Sequence, residues 1–107
     1  MPKKYKTRNQ FRFSKNKKAV YHPHYIFGEK DDKYISLGLT THPKKNHKVF
    51  LLNGSPGPQS GKKQYIHKKA FVMPKNNYTK KRLKGWAFSA EDMALIRYLK
   101  KKYKRSK

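Results

Sequence analysis

The stretch AVYHPHYIFGEKDDKYISLGLTTHPKKNHKVF, residues 19–50, decides the fold. Side chains alternate along Ala19–Gly28, so Tyr21, Tyr25 and Phe27 share one side of an extended chain and Val20, His22, His24 and Ile26 the other. EKDDK, residues 29–33, is a polar turn carrying Glu29, Asp31 and Asp32, three of the five acidic residues in the chain. YISLGLTTH, residues 34–42, then sets Ile35, Leu37 and Leu39 against Tyr34, Ser36, Gly38 and Thr40, the pattern of a half-buried antiparallel partner. The spacing predicts a hairpin. Antiparallel pairing brings His22, at the start of the first strand, to Thr40, Thr41 and His42 at the end of the second, so titratable and hydroxyl groups converge on one rim.

Outward from the hairpin, HPKKNH is a basic loop and KVFLLN, residues 48–53, a third strand. GSPGPQSGKK, residues 54–63, excludes regular structure and reads as a surface loop able to close over a bound strand. Its glycines lack the spacing of a Walker phosphate loop, and no helical pattern follows. QYIHKKAFVMP, residues 64–74, gives an apolar pair, a basic bulge and a second apolar run stopped by Pro74. Residues 76–88 supply either a last strand around Lys80–Leu83 or a turn leading to Trp86 and Phe88. Ser89 is a good N-cap, with Glu91 and Asp92 in the first turn of a helix running from Ala90 to about Lys104. Leu95, Ile96, Leu99 and Tyr103 share one face of it, and Arg97, Lys100, Lys101 and Lys104 point away.

At 107 residues the chain is one domain with a modest core, which favours a small barrel or sheet with one helix over a layered α/β enzyme. The expected class is mainly β with a C-terminal helix, a small SH3-like barrel or a strongly curved antiparallel sheet. Residues 1–18, with six Lys, two Arg and no acid, read as a basic N-terminal arm before a domain over 19–107. Within that arm the FRF triplet, Phe11 to Phe13, reads either as a short strand closing a barrel or as a stacking pair for unpaired bases, and core packing is the expected use of its rings. A net charge of +24, from 29 Lys plus Arg against five Asp plus Glu, points to a polyanionic partner. Nucleic acid is the first inference, because no long apolar run exists to enter a bilayer and the cations are spread along the chain. Cysteine is absent, which excludes disulfides and thiolate chemistry and suits a cytoplasmic protein.

No carboxylate pair is placed for acid–base work, since the acids sit in one turn and one helix start. His22, His24, His42, His47 and His67 are the groups that titrate near neutrality. His22, His24 and His42 lack a supporting carboxylate and lie among lysines, a poor setting for a divalent cation, so no metal and no cofactor is expected. His22 or His42 can instead act as general acid or base beside a phosphodiester held by Lys and Arg.

In order and in short matches the chain resembles the PemK/MazF-like toxins. YHPHYIF resembles the family's Arg-Pro followed by an apolar strand, KYISLGLTTH its next strand ending in Thr, HKVFLL and FVMP its later strands, and SAEDMALIRYL its terminal helix. The resemblance covers about Ala19 to Tyr103. It implies an SH3-like barrel and metal-independent cleavage of single-stranded RNA, with an acidic antitoxin and a homodimer as partners. His22 stands at the position of the family's Arg and Thr40 at that of its Thr. A His does acid–base work but is a weaker permanent cation than Arg. The candidate catalytic residues are therefore His22, Thr40 and His42. Candidate contacts to nucleic acid, RNA ahead of DNA, are Lys44, Lys45, Lys48, Lys62, Lys63, Lys68 and Lys69, with Tyr21, Tyr34 and Tyr65 for base stacking. The alternative is a non-catalytic basic module, RNA- or ribosome-associated, or a mobile-element protein that inhibits a nucleic-acid-handling complex.

Overall fold

The computed structural model describes residues 6–15, 22–45, 48–57 and 63–105. Tyr21, His47, Lys62 and the ends of the expected basic arm lie outside them. Among the described residues six strands, one 3-10 turn and one α-helix follow in order: β1 (Lys6–Phe13), β2 (Pro23–Lys30), β3 (Lys33–Thr40), β4 (Val49–Leu51), β5 (Tyr65–His67), β6 (Phe71–Pro74), the 3-10 turn (Lys75–Asn77) and α1 (Ala90–Arg105). The chain is mainly β with one C-terminal helix. The sheet runs β1-β2-β3-β5-β4, with β6 also pairing β3. Among the described residues all pairings are antiparallel and none joins β1 to β4.

The hairpin is β2–β3, with Tyr25 opposite Leu37 and Lys30 opposite Lys33 around Asp31 and Asp32. Asp31 takes φ 57°, a left-handed conformation that a short polar side chain tolerates. Glu29, at the same end, accepts hydrogen bonds from Arg8 and Lys75 and so ties β1 and the segment after β6 to the turn.

Two expectations about the strands change. Residues 6–13 are not an arm but an edge strand, paired with β2 from Lys6↔Glu29 to Phe13↔Pro23 across a bulge between Thr7 and Gln10. Phe11 explains why: it is 4% exposed, with its ring 5.1 Å from those of Tyr25 and Phe88 and 5.6 Å from that of Trp86. Cationic residues around it do not prevent a strand, because alternation lets Lys6, Arg8 and Arg12 keep their charges outside while Phe11 turns inward. The hairpin is also not half-buried: Ser36 is fully buried and His24 is 6% exposed, on the face opposite the main core.

That core lies between the sheet and α1. Tyr25, Phe27, Ile35, Leu37, Leu39 and Ile66 face Ile96 and Leu99, with Phe11 and Leu52 completing the cluster and Leu95, Tyr103, Trp86 and Phe88 packed against it. The helix begins as its sequence dictates, with the Ser89 hydroxyl accepting from Asp92 N–H at 3.2 Å. Asp92 does more than complement the helix dipole. Its carboxylate accepts from Asn53 N–H at 2.8 Å and Gly54 N–H at 3.1 Å, pinning α1 to the chain after β4. Lys100 does not point away as expected; its ammonium lies 5.3 Å from the Tyr25 ring centroid.

Residues 79–83 form no strand. They run along the outer edge of β1, where Thr79 N–H and Leu83 N–H donate to the carbonyls of Phe13 and Phe11. The chain then reaches Trp86, which lies against Gly57 so closely that a Cβ there would come within 2.4 Å of the indole.

Candidate nucleic-acid interface

The second face of the sheet is built from the alternate residues of the same strands. Arg12 of β1 pairs with His24, and His24 with Gly38; His67, one step beyond the Leu39↔Ile66 pair, continues that row. Gly38 makes the row possible. A Cβ on it would stand 3.0 Å from the Phe71 ring, 3.1 Å from His67 and 3.3 Å from His24, so both imidazoles close over the space a side chain would fill. Phe71 holds them, its centroid 5.5 Å from each.

His24 is the buried member. Its Nδ1 lies 3.0 Å from the Ser36 hydroxyl, which lies 2.7 Å from the Tyr78 hydroxyl, so three polar groups satisfy one another away from water. Burial, and then the neighbouring His22 and His67, lower the His24 pKa to about 4. Burial likewise pushes Tyr78 up to about 12 against the opposing effect of its bond to Ser36. At neutral pH His24 is therefore an uncharged packing residue and a poor proton carrier.

The next row outward holds the expected catalytic residues. Ser14 N–H donates to the His22 carbonyl, β3 ends at Thr40 against the start of β2, and Thr40 pairs with Tyr65, itself opposite Leu51. His22 and Thr40 therefore lie at the same end of the sheet, as the hairpin register requires. His42 is tied to them through its backbone: its N–H donates to the Thr40 hydroxyl oxygen at 3.1 Å, leaving that hydroxyl proton for another acceptor. Sequence reasoning missed His67 in this assembly. Its alternation with Tyr65 was visible, but not which strand it joins. Among the described residues no three His, Asp or Glu side chains are grouped to hold a metal ion.

The expected lysines divide. Lys48, Lys68 and Lys69 meet Lys102, which was not foreseen, around a groove of about 560 Å³ floored by Ala70, Val72, Leu99 and Tyr103. Its origin is a backbone irregularity: β5 pairs β3 through Leu39↔Ile66 and β6 resumes at Ser36↔Phe71, so residues 68–70 occupy the span opposite Leu37 alone. The basic bulge read in the sequence is real, and it carries Lys68 and Lys69 to the groove. Lys44 and Lys45 are exposed in the loop after β3, and Lys63 lines a separate hollow with residues 51–55 and Gln64. Tyr34 is far along the hairpin from these groups, its ring already flanked by Arg12 at 5.5 Å, Lys75 at 5.4 Å and Tyr78 at 5.3 Å. Tyr65 is half-buried in the outer row.

Among the described residues no helix is long and apolar enough to cross a membrane. Compared with known proteins, the chain matches no family model, no curated protein and no solved structure.

Proposed function

We propose that this protein binds nucleic acid, RNA ahead of DNA, along the groove between the β5–β6 bulge and α1. The observation that carries the reading is the convergence of Lys48, Lys68, Lys69 and Lys102 on that groove in a chain of net charge +24. Four ammonium groups brought together repel one another, and a phosphate backbone relieves that repulsion while releasing its own counterions. The apolar floor adds a dry surface for sugars and bases, which a site for simple anions does not need. Binding of a labelled RNA oligonucleotide at several salt concentrations tests it. If about six phosphates are neutralised, affinity falls on the order of a thousandfold between about 50 and 200 mM salt. Replacing the four lysines with alanine reduces the slope of log K against log salt by about 3. A salt dependence that is flat, or unchanged in the fourfold variant, removes the groove from the reading.

A second reading, a metal-independent endoribonuclease of the PemK/MazF kind, is favoured by one observation: His22 and Thr40 share the end of the β2–β3 ladder, with Tyr65 paired to Thr40. Attack by a ribose 2′-hydroxyl needs a base near that oxygen and a proton donor at the leaving oxygen. His22, with His67 in the adjacent row, offers imidazoles for those tasks, and the Thr40 hydroxyl a donor to phosphate. Incubation with a pool of single-stranded RNAs in chelator then leaves 2′,3′-cyclic phosphate ends. His22→Ala and Thr40→Ala each slow cleavage about a hundredfold with binding retained. RNA left intact across the pool leaves the binding module alone.

A further inference from the structure

We infer that the polynucleotide in the lysine groove is single-stranded and lays one base on the ring of Tyr98, a deepening that rests on the nucleic-acid reading above. Tyr98 is 53% exposed on α1, although the apolar residues around it, Ile96 and Leu99, are buried. It is not an isolated surface ring. The Phe50 ring stands against it at 6.5 Å and 77°, and the Lys68 ammonium sits 4.3 Å from the Phe50 centroid. Lys68 also lines the groove, as does Lys48, two residues before Phe50 on the same side of the chain. An exposed aromatic ring, the partner that fixes its edge, a cation and the groove thus form one continuous strip.

That combination is how a surface reads unpaired nucleic acid: cations track the backbone and an aromatic face takes a base, whichever base it is. The spacing along the helix agrees. Lys102 is four residues beyond Tyr98, about 6 Å along the axis on the same face, so a base on the ring leaves its neighbouring phosphate within reach of that ammonium. A duplex presents phosphates to the same lysines but no free base face, since its bases are stacked on one another. Tyr34, whose ring is flanked on the protein by Arg12, Lys75 and Tyr78, cannot do this task. Charge selects the class of partner: with Lys48, Lys68, Lys69 and Lys102 beside the ring, an acidic polymer fits and a neutral apolar segment does not.

The experiment measures anisotropy of a labelled unstructured 12-nucleotide RNA, the same sequence as a duplex, and vesicles carrying anionic lipid, each at several salt concentrations. Tyr98→Ala is expected to weaken single-strand binding about tenfold, to leave duplex binding within about twofold, and to keep the salt slope. Tyr98→Phe retains single-strand affinity, and Lys102→Ala lowers the slope by about 0.7 with little change in strand preference. Equal single-strand affinity in Tyr98→Ala and the parent overturns the stacking assignment while leaving the groove reading intact. An equal loss on duplex does the same. Absence of salt-dependent binding to either RNA, or binding to vesicles alone, overturns both. Because Tyr98 is half-exposed, Tyr98→Ala should unfold as cooperatively as the parent, and a urea melt of each variant confirms that affinity is compared between folded proteins.

Discussion

Lowering the pH should weaken this fold through His24. Its ring is 6% exposed, lies 5.5 Å from Phe71 and 5.6 Å from Tyr78, and has Nδ1 committed to Ser36. Burial first, then His22 and His67, bring its pKa from 6.5 to about 4. The folded pKa lies below the unfolded one, so on acidification the unfolded chain takes up the proton first. The folded state keeps its full advantage above about pH 6.5, loses it progressively down to about pH 4, and loses no more below that. A shift of that size corresponds to about 3 kcal/mol, a large share of the 5–15 kcal/mol typical of small domains. Urea unfolding of the parent and of His24→Gln across this window isolates the effect. Every other group is common to both proteins, so the parent should lose about 3 kcal/mol more than the variant between the two ends of the range. The His24 ring proton resonances should titrate near pH 4, well below those of an exposed histidine. Parallel stability profiles for the two proteins would refute the assignment of His24 as a buried neutral imidazole.

Phe11→Ala should cost about 3–5 kcal/mol in a urea melt, because it removes the ring that joins β1 to Tyr25, Trp86 and Phe88; a loss under about 1 kcal/mol would restore the reading of this region as a solvated arm. Asp92→Ala should cost about 2–4 kcal/mol by leaving the Asn53 and Gly54 amides without an acceptor, and Asp92→Asn less, because its carbonyl still accepts. Hydrogen exchange at those two amides should quicken in Asp92→Ala before global unfolding does, and unchanged protection there would show that another group holds the loop.

The hairpin was legible because alternation, a polar turn and β-forming residues agree over residues 23–40, and the helix because Ser89, Asp92 and the Ile96/Leu99 stripe agree over residues 89–105. Composition obscured β1: its charges suggested a solvated arm, while its single deeply buried ring, Phe11, is what ties it to the sheet. The second buried face was hidden for a different reason. Ser36 and His24 look like solvent-facing positions until Phe71 and Tyr78 cover them, and nothing local in residues 71–78 says which surface they will cover. His67 and Lys102 were missed because their neighbours come from strand order across the Gly/Pro-rich loop and from helix docking, both set by long-range packing rather than by any period.

One irregularity links the two candidate surfaces. Were β5 to continue into β6 without interruption, a single residue would separate His67 from the partner of Ser36; the chain has Lys68, Lys69 and Ala70 instead. Two extra residues keep the alternation in phase, so His67 and Phe71 remain on the face of Gly38 and Ser36, where Phe71 steadies the imidazoles of His24 and His67. The displaced residues go the other way, and Lys68 and Lys69 become a bank of the groove against Leu99 and Lys102 of α1. The composition of the bulge suits the groove, with small Ala70 at the floor and two lysines at the rim. A backbone laid in that groove, as proposed above, would pass beside the strand that carries His67 and, through its pairing with Thr40, Tyr65. Residues 65–72 thereby carry both surfaces on one continuous piece of chain, with Tyr65 opposite Thr40 on one face and Lys68, Lys69 and Val72 at the groove on the other.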